Sequence, residues 1–384
     1  MENLGRNQSF ARKVNSGLVL SRLRKSDCSA TILAEELNLS NAAMSSILKE
    51  LENQNMIVHS HALSTVGKGR KQIYYTLNKD YGLFIVVCLS NNRCKIIVSN
   101  LKEEILIKEE KEIDRYDVSV IYEIILRIKS ILALPEYRDL PLVNIYIAVP
   151  GKVNSLTNEV QVQSSKHFDK SLFEEKDKIS QLFETHFSAP VFIENDINLA
   201  IIGERKCGAL DSSNDSLLVY VDNGIGAAMI FDGNFYKGSS GYAGELGLTR
   251  VTVNGEENYL DEFVSLRSIK NYFKEKYHRE FKHKDLVELF YQDDEAKDYI
   301  LKTSKILGKK LKDIVELLNI SKIVLQGRIS YFQDQYLQVI KDEVNQSSNQ
   351  CEVEFSKLNG DSIFIGAMAK AVDYLVDKIT TREN

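Results

Sequence analysis

The residues of this 384-residue chain best placed for chemistry are small and polar, not nucleophilic. In NAAMSSILKELENQNMIV, beginning at residue 41, apolar Met44, Ile47, Leu48 and Leu51 recur at i, i+3, i+4 and i+7, so one helical face packs and the opposite face is free. The free face, with the residue before it, carries Ser40, Asn41, Ala42, Ser45 and Ser46, groups small enough to approach base edges or a thymine methyl, and Lys49 lies within reach of phosphate. Downstream, Gly67-Lys68-Gly69-Arg70-Lys71 sets three cations on a glycine-flanked turn. Lys68, Arg70 and Lys71 either contact the phosphates or minor groove of a duplex or form a solvated hairpin tip.

Stepping outward, these groups need a scaffold. ATILAEELN, with Ser29 as N-cap and Ile32, Leu33 and Leu37 inside, predicts a helix broken by Asn38-Leu39-Ser40, which makes a helix-turn-helix with the segment from Asn41. VNSGLVLSRLRK predicts a basic amphipathic helix before it, with Val14, Leu18, Leu20 and Leu23 near one stripe. After the basic turn, Ile73, Tyr75 and Leu77 alternate like a half-buried strand and predict a hairpin wing. Residues 1–80 carry 11 Lys and Arg against 7 Asp and Glu, a net +4 that leaves −9 for the rest of a chain whose total is −5. A basic front on an acidic body suits a nucleic-acid module, although chance fluctuation gives the same sign.

Other chemistry is sparse. Cys28, Cys88, Cys94, Cys207 and Cys351 contain no C-x-x-C pair, which predicts buried thiols, no metal and a reducing compartment. Neither a secretory h-region nor a membrane-spanning apolar run is evident, so the expectation is cytoplasmic and without membrane contact. From Tyr81 the pattern becomes short β-branched strands, LFIVVCL, CKIIVSN and EILIKEEKEI, then a helix around VIYEIILRIKSILAL and a strand VNIYIAVPG. A second round holds VFIEND, SLLVYVDNGIGAAMIFDG and a helical C-terminal stretch containing SKIVLQGRIS and IFIGAMAKAVDYLV. Strands and helices in two similar rounds predict an α/β fold of two lobes with a cleft between them.

RKVNSGLVL, GKGRKQIYYTLN, IAVPG, IENDINLAIIGE, GIGAAMIFDGNFYKGSSGYAGELG and the terminal IGAM, in this order, resemble the ROK family (repressors, open reading frames and sugar kinases), specifically its xylose-repressor type. The resemblance implies a winged helix-turn-helix at 1–79 and a two-lobed actin-like, ribonuclease-H-like sugar-kinase fold at 80–384. Lobe one would be about 80–194 plus the C-terminal helix from about 360, and lobe two about 195–359.

In the kinases of the family a D-x-G-G-T turn holds ATP phosphates on bare backbone. Here Cys88 stands at the aspartate, and Ser90, Asn91 and Asn92 replace the glycines and threonine. Asp222-Asn223-Gly224-Ile225-Gly226 keeps a second phosphate motif, whose G-x-G alone is often only a hairpin, and Gly327-Arg328-Ile329-Ser330 carries an arginine where the family has glycine. Leu248 occupies the position of the family's zinc-binding histidine and the three cysteines of that site are missing, so no metal and no cofactor are expected. The sugar-binding set implied by the resemblance is Asn195, Asp196 and Glu245, with Asp261 in place of glutamate and Ser164 in place of asparagine. Asn195-Asp196 also suits a turn ending a strand. No catalytic residue is expected; the residue matching Asp196 is the kinases' general base, and without ATP it only binds.

The resulting expectation is a sequence-specific DNA-binding repressor of a sugar-utilisation operon. It would be a homodimer on double-stranded operator DNA, modulated by a sugar in the cleft and devoid of kinase activity. The alternatives are a ligand-independent regulator whose body only dimerises, and an ATP-dependent sugar kinase with an accessory DNA module.

Overall fold

The computed structural model describes residues 8–60, 73–90, 92–154, 159–161, 168–169, 172, 178–211 and 213–380. Lys68, Arg70, Lys71, Asn91 and Ser164 lie outside the described residues.

The N-terminal unit runs α1 (Gln8–Leu23), β1 (Cys28–Ser29), α2 (Ala30–Glu36), α3 (Asn41–Asn53), β2 (Ile57–Ser60) and β3 (Tyr74–Leu77). Ser29 and Ser40 cap α2 and α3 through their hydroxyl oxygens, which accept from the amides of Ile32 and Ala43. Between the helices Asn38 takes a left-handed conformation (φ 52°), which sharpens the turn. Antiparallel β2 and β3 follow, with β3 central in the order β1-β3-β2.

Leu18 is 46% exposed, and Val19, Leu20 and Leu23 form the buried stripe instead, because α1 turns Gly17 onto the C-terminal helix and packs α3 on its other side. Ile73 is 48% exposed and precedes β3, so only Tyr75 and Leu77 of that alternation face inward.

The body holds two sheets of the same layout. The first is built from β4 (Leu83–Ser90), β5 (Arg93–Ser99), β6 (Ile105–Glu112), β7 (Leu142–Val149) and β10 (Val191–Asn195), in the order β10-β7-β4-β5-β6. It is flanked by α4 (Val118–Leu132) and α5 (Lys178–His186), with the small ribbon β8 (Lys152–Asn154) and β9 (Glu159–Gln161) after β7. Then α6 (Asp196–Cys207) crosses to the second sheet, made of β11 (Ser216–Val221), β12 (Ile225–Phe231), β13 (Asn234–Tyr236), β16 (Lys322–Gln326) and β17 (Glu352–Phe355), in the order β13-β12-β11-β16-β17. Each sheet is an antiparallel three-strand meander extended by two parallel strands.

Around the second sheet lie the hairpin β14 (Arg250–Val253) and β15 (Glu256–Tyr259), then α7 (Leu260–Val264), α8 (Leu266–Tyr277), α9 (His283–Gln292), α10 (Asp294–Leu318) and α11 (Gln333–Val344). The segment KIVLQ, read as part of a helical stretch, is the strand β16. Its β-branched run is buried between β11 and β17, and this sheet pairing overrides the helical reading. Finally α12 (Ser362–Thr380) returns from the second sheet to lie on β4 and β7 of the first.

The crossing helices are locked together. A Cβ on Gly203 would stand 2.1 Å from the Ser362 carbonyl, and one on Gly366 1.8 Å from that of Leu199, so both positions require glycine for backbone to meet backbone. The core of the N-terminal unit is continuous with the body: Val19, Leu20, Leu33 and Met44 belong to one apolar cluster with Phe84, Leu199, Phe364 and Val372.

Candidate nucleic-acid face and inter-lobe cleft

On α3 the sequence periodicity becomes a two-sided helix. Met44, Ile47, Leu48 and Leu51 are at most 2% exposed, while Asn41, Ala42, Ser45, Ser46 and Lys49 all face outward. Ser40 is exposed as well, with its hydroxyl oxygen committed to the helix cap. Arg12 of α1 braces this helix from outside its apolar face, donating to the Ser46 carbonyl (3.2 Å) and pairing with Glu50 (2.7 Å). That cation was not singled out from sequence, where it is one of several around α1. His59 of β2 pairs with Glu52 (2.8 Å) beside the Tyr75 ring and so ties α3 to the sheet.

The second site lies where the strand ends of the two sheets meet. Asn195 ends β10 and caps α6: Oδ1 accepts from the Asn198 amide (3.0 Å) and Nδ2 donates to the Gly151 carbonyl (2.6 Å). Behind it Glu194 accepts from the Asn195 amide and from Asn198 Nδ2, both at 3.0 Å. Asp196 follows as the first residue of α6. Burial lifts its carboxyl to about 7 against the help of its backbone hydrogen bonds, and the carboxylate of Asp222 pushes in the same direction from the second sheet. The Tyr220 hydroxyl is held up chiefly by burial and also by Asp222 and Asp196, so these three groups share one neighbourhood. Cys88, at the end of β4, faces the same carboxylate, and burial raises its thiol to about 12.

Glu245 reaches from the loop after β13 to Lys152 of β8 (3.4 Å), one residue from the Gly151 carbonyl that Asn195 holds. Asp261, on α7, lies behind the tight turns at Gly224 and Gly247. A Cβ on those glycines would stand 3.6 and 3.3 Å from its Oδ1. One oxygen of Asp261 takes Arg267 (2.7 Å); the other, Oδ1, is buried and has no hydrogen-bond partner among the described residues. Burial raises this carboxyl despite Arg267. Asn195 and Asp196 thus share a neighbourhood with Asp222 and Tyr220, Glu245 reaches it through Lys152, and Asp261 stands behind the turns at Gly224 and Gly247. Sequence reasoning missed Lys152 and Tyr220, which meet these residues from distant segments, and Arg267, six residues after Asp261.

Arg328 connects the two segments that the resemblance associates with nucleotide. Nε donates to Asp222 Oδ2 (2.7 Å) and Nη2 to Oδ1, a bidentate pair that closes the β11–β12 turn onto the segment after β16. Gly327 allows this approach at φ 104°, since a Cβ would stand 2.2 Å from the Val221 carbonyl. Next to the pair, His283 is pushed down to about 4 by burial and by Arg328. A triphosphate would have to displace the carboxylate from the guanidinium in order to use it.

The family's zinc does not fit these residues. Leu248 is 41% exposed at the histidine position, and the neighbouring loop is the β14–β15 hairpin, turned by Asn254 and Gly255 at positive φ. Among the described residues no group of His, Cys, Asp and Glu side chains is arranged to hold a metal ion. No helix among them is long and apolar enough to cross a membrane.

Two matching sheets joined by crossing helices, with a cleft of carboxylates between them, define the class: residues 87–373 match the model of the ROK family, and the chain belongs to it. Among relatives, the xylose repressor of Bacillus subtilis (strain 168) is 25% identical over 394 residues, covering 97% of this chain and 98% of that protein. The xylose repressor of Lactiplantibacillus pentosus is 25% identical with the same coverage of both proteins, 97% and 98%. The DNA-binding transcriptional repressor Mlc of Escherichia coli (strain K12) is 21% identical over 357 residues, 87% of each chain. The fold is that of a solved ROK family transcriptional regulator, a homolog of E. coli Mlc, with TM-score 0.81 at 20% identity over 97% of this chain and 99% of that one. A ROK hexokinase from Thermus thermophilus superposes with TM-score 0.62 at 19% identity, its near-full length (99%) covering 77% of this chain.

Proposed function

We propose that this ROK-family transcriptional regulator is a repressor of a sugar-utilisation operon, binding a palindromic operator as a homodimer through α3. A sugar in the cleft lowers its hold on DNA, and the body does not phosphorylate that sugar. The observation that carries the reading is the two-sided α3, with exposed Asn41, Ala42, Ser45, Ser46 and Lys49 on an apolar back. These side chains suit a major groove, which admits a helix and offers donors, acceptors and methyl groups. Lys68, Arg70 and Lys71 would add phosphate contacts from the wing. Support for a sugar comes from the carboxyls of Asp196 and Asp261, which accept hydrogen bonds from hydroxyls, and from the relatives named as xylose repressors. Ser164 completes this proposed set. The absence of phosphoryl transfer rests on the Arg328–Asp222 pair and the neutral thiol of Cys88.

The test is a gel shift on DNA from upstream of the chain's own gene. A complex that weakens steeply with salt and dissociates with D-xylose is expected; no complex at low salt with any upstream fragment contradicts the proposal. A second reading, a ligand-independent regulator, is favoured by Asn195 and Glu245, whose side chains already bond Gly151, Asn198 and Lys152. Thermal shift across a sugar panel separates the two, since a ligand that binds only the native state raises its stability.

A further inference from the structure

The N-terminal unit meets the body through one ionic cluster besides its apolar contact. Arg24, in the turn after α1, donates through Nε (2.9 Å) and Nη2 (2.6 Å) to Glu103 Oε1, and through Nη1 to Asp373 of α12 (2.5 Å). Glu103 Oε2 takes Lys206, in the last turn of α6. The carboxylate of Glu103, only 10% exposed, is therefore divided, one oxygen serving the DNA-side unit and the other the helix that crosses between lobes.

Glu103 itself sits in the left-handed region at φ 62°, a conformation that costs a non-glycine residue energy. Its turn between β5 and β6 is fixed by buried Asn100, whose Oδ1 accepts from the amides of Lys102 (2.9 Å) and Glu104 (3.1 Å), while Nδ2 donates to Glu104 (2.8 Å). The carboxylate is thus anchored to the first sheet, while Lys206 and Asp373 belong to the two helices that cross to the second. At its opposite end α6 begins with Asp196 in the cleft, and over 12 residues it spans about 18 Å. The glycine contacts at Gly203 and Gly366 hold α6 and α12 backbone to backbone.

We infer that the Arg24–Glu103–Lys206–Asp373 cluster couples the cleft to the DNA-binding unit. Closing the lobes displaces the end of α6 relative to the fixed turn of Glu103, Lys206 changes its hold on the shared carboxylate, and Arg24 repositions α1. Arg24 and Lys206 are positioning residues that touch neither DNA nor sugar. This inference rests on the proposed function, since it presumes a ligand in the cleft and DNA at α3.

The test uses the full chain, fluorescently labelled upstream DNA and D-xylose. The measured quantity is the ratio of operator Kd with saturating xylose to that without, which by linkage is the coupling factor. Lys206→Met and Glu103→Gln are expected to bring this ratio to within about twofold of one, with the xylose Kd in the absence of DNA changed by less than about twofold, whereas Lys206→Arg keeps the parent ratio. A merely structural role would lower Tm in the first two variants without moving the ratio, and an unchanged ratio in both overturns the inference. If the parent protein shows no response to xylose, sugar sensing by that probe fails and the cluster is tested without sugar or DNA. Lys152→Cys and Glu245→Cys, in a Cys207→Ser, Cys351→Ser background, are bridged by a short bis-maleimide to fix the spacing of the lobes at that point. Hydrogen exchange of the α1 amides should change on bridging, and Lys206→Met should abolish the change. Exchange in α1 that ignores the bridge overturns the inference by itself.

Discussion

The two sheets of the body have the same strand plan, yet their equivalent hairpin tips are built differently. At the β4–β5 tip, Ser90 pairs in register with Arg93, its hydroxyl donates to the Arg93 carbonyl, and Cys88 is a buried neutral thiol. The described ends of this tip are joined as in an ordinary hairpin. The β11–β12 tip keeps its glycines and Asp222, and Arg328 from the neighbouring strand end neutralises that carboxylate. One tip presents a buried thiol and a hydroxyl bonded to its own backbone; the other presents a carboxylate paired with a guanidinium.

The strongest way to break this comparison is to restore a charge at the closed tip. Cys88→Asp would set a second carboxyl beside Asp196 in a buried place, and a loss of about 3 kcal/mol at pH 8, smaller at pH 5 where the group is protonated, is expected from denaturant unfolding. Gly366→Ala tests the helix crossing that holds the sheets in register. With a carbonyl 1.8 Å from the new methyl it should cost about 2 kcal/mol, while Gly360→Ala, which meets nothing within 4 Å, should cost a few tenths at most in the same assay.

Removing the clamp at the open tip comes next. Arg328→Met leaves Asp222 without its partner and should lower stability by about 1–2 kcal/mol, discounted because the guanidinium is partly exposed. It should bring no ATP consumption with any hexose or pentose, since the first tip remains closed. The smallest effect is a gain. The carboxyl of Asp196 titrates near 7 when folded and near 4 when unfolded, so its contribution to stability is present below about pH 4 and lost as the pH rises through 7. Asp196→Asn should therefore raise stability by roughly 1 kcal/mol at pH 8 and leave it unchanged at pH 4, measured by thermal unfolding at both values.

What could be read in advance follows from the range of the interactions involved. The stripe of α3 was legible because Met44, Ile47, Leu48 and Leu51 report one helix against one core. That of α1 was misjudged at Leu18 because this helix answers to two partners, and Gly17 rather than a large residue meets α12. KIVLQ reads as helix because its apolar run lacks a decisive period, and only β11 and β17 make it a strand. At the cleft, Asn195, Asp196, Glu245 and Asp261 were named from motif positions. Their contacts with Gly151, Lys152 and Asp222 could not be, since pairing across the chain leaves no local pattern, and Arg267, six residues after Asp261, carries no motif that marks it as a partner. Arg328 was recognised as out of place, and its bidentate hold on Asp222 supplies the reason.

The most direct measurement is an anisotropy titration of labelled upstream duplex with the parent chain and with a Ser45→Glu, Ser46→Glu variant. Two carboxylates on the outer face of α3 should repel the phosphates and weaken binding at least about a hundredfold, with Tm shifted by no more than about a degree because both positions are exposed. Equal affinity in the two proteins would mean that DNA, if bound, is held elsewhere and that α3 is not the reading helix.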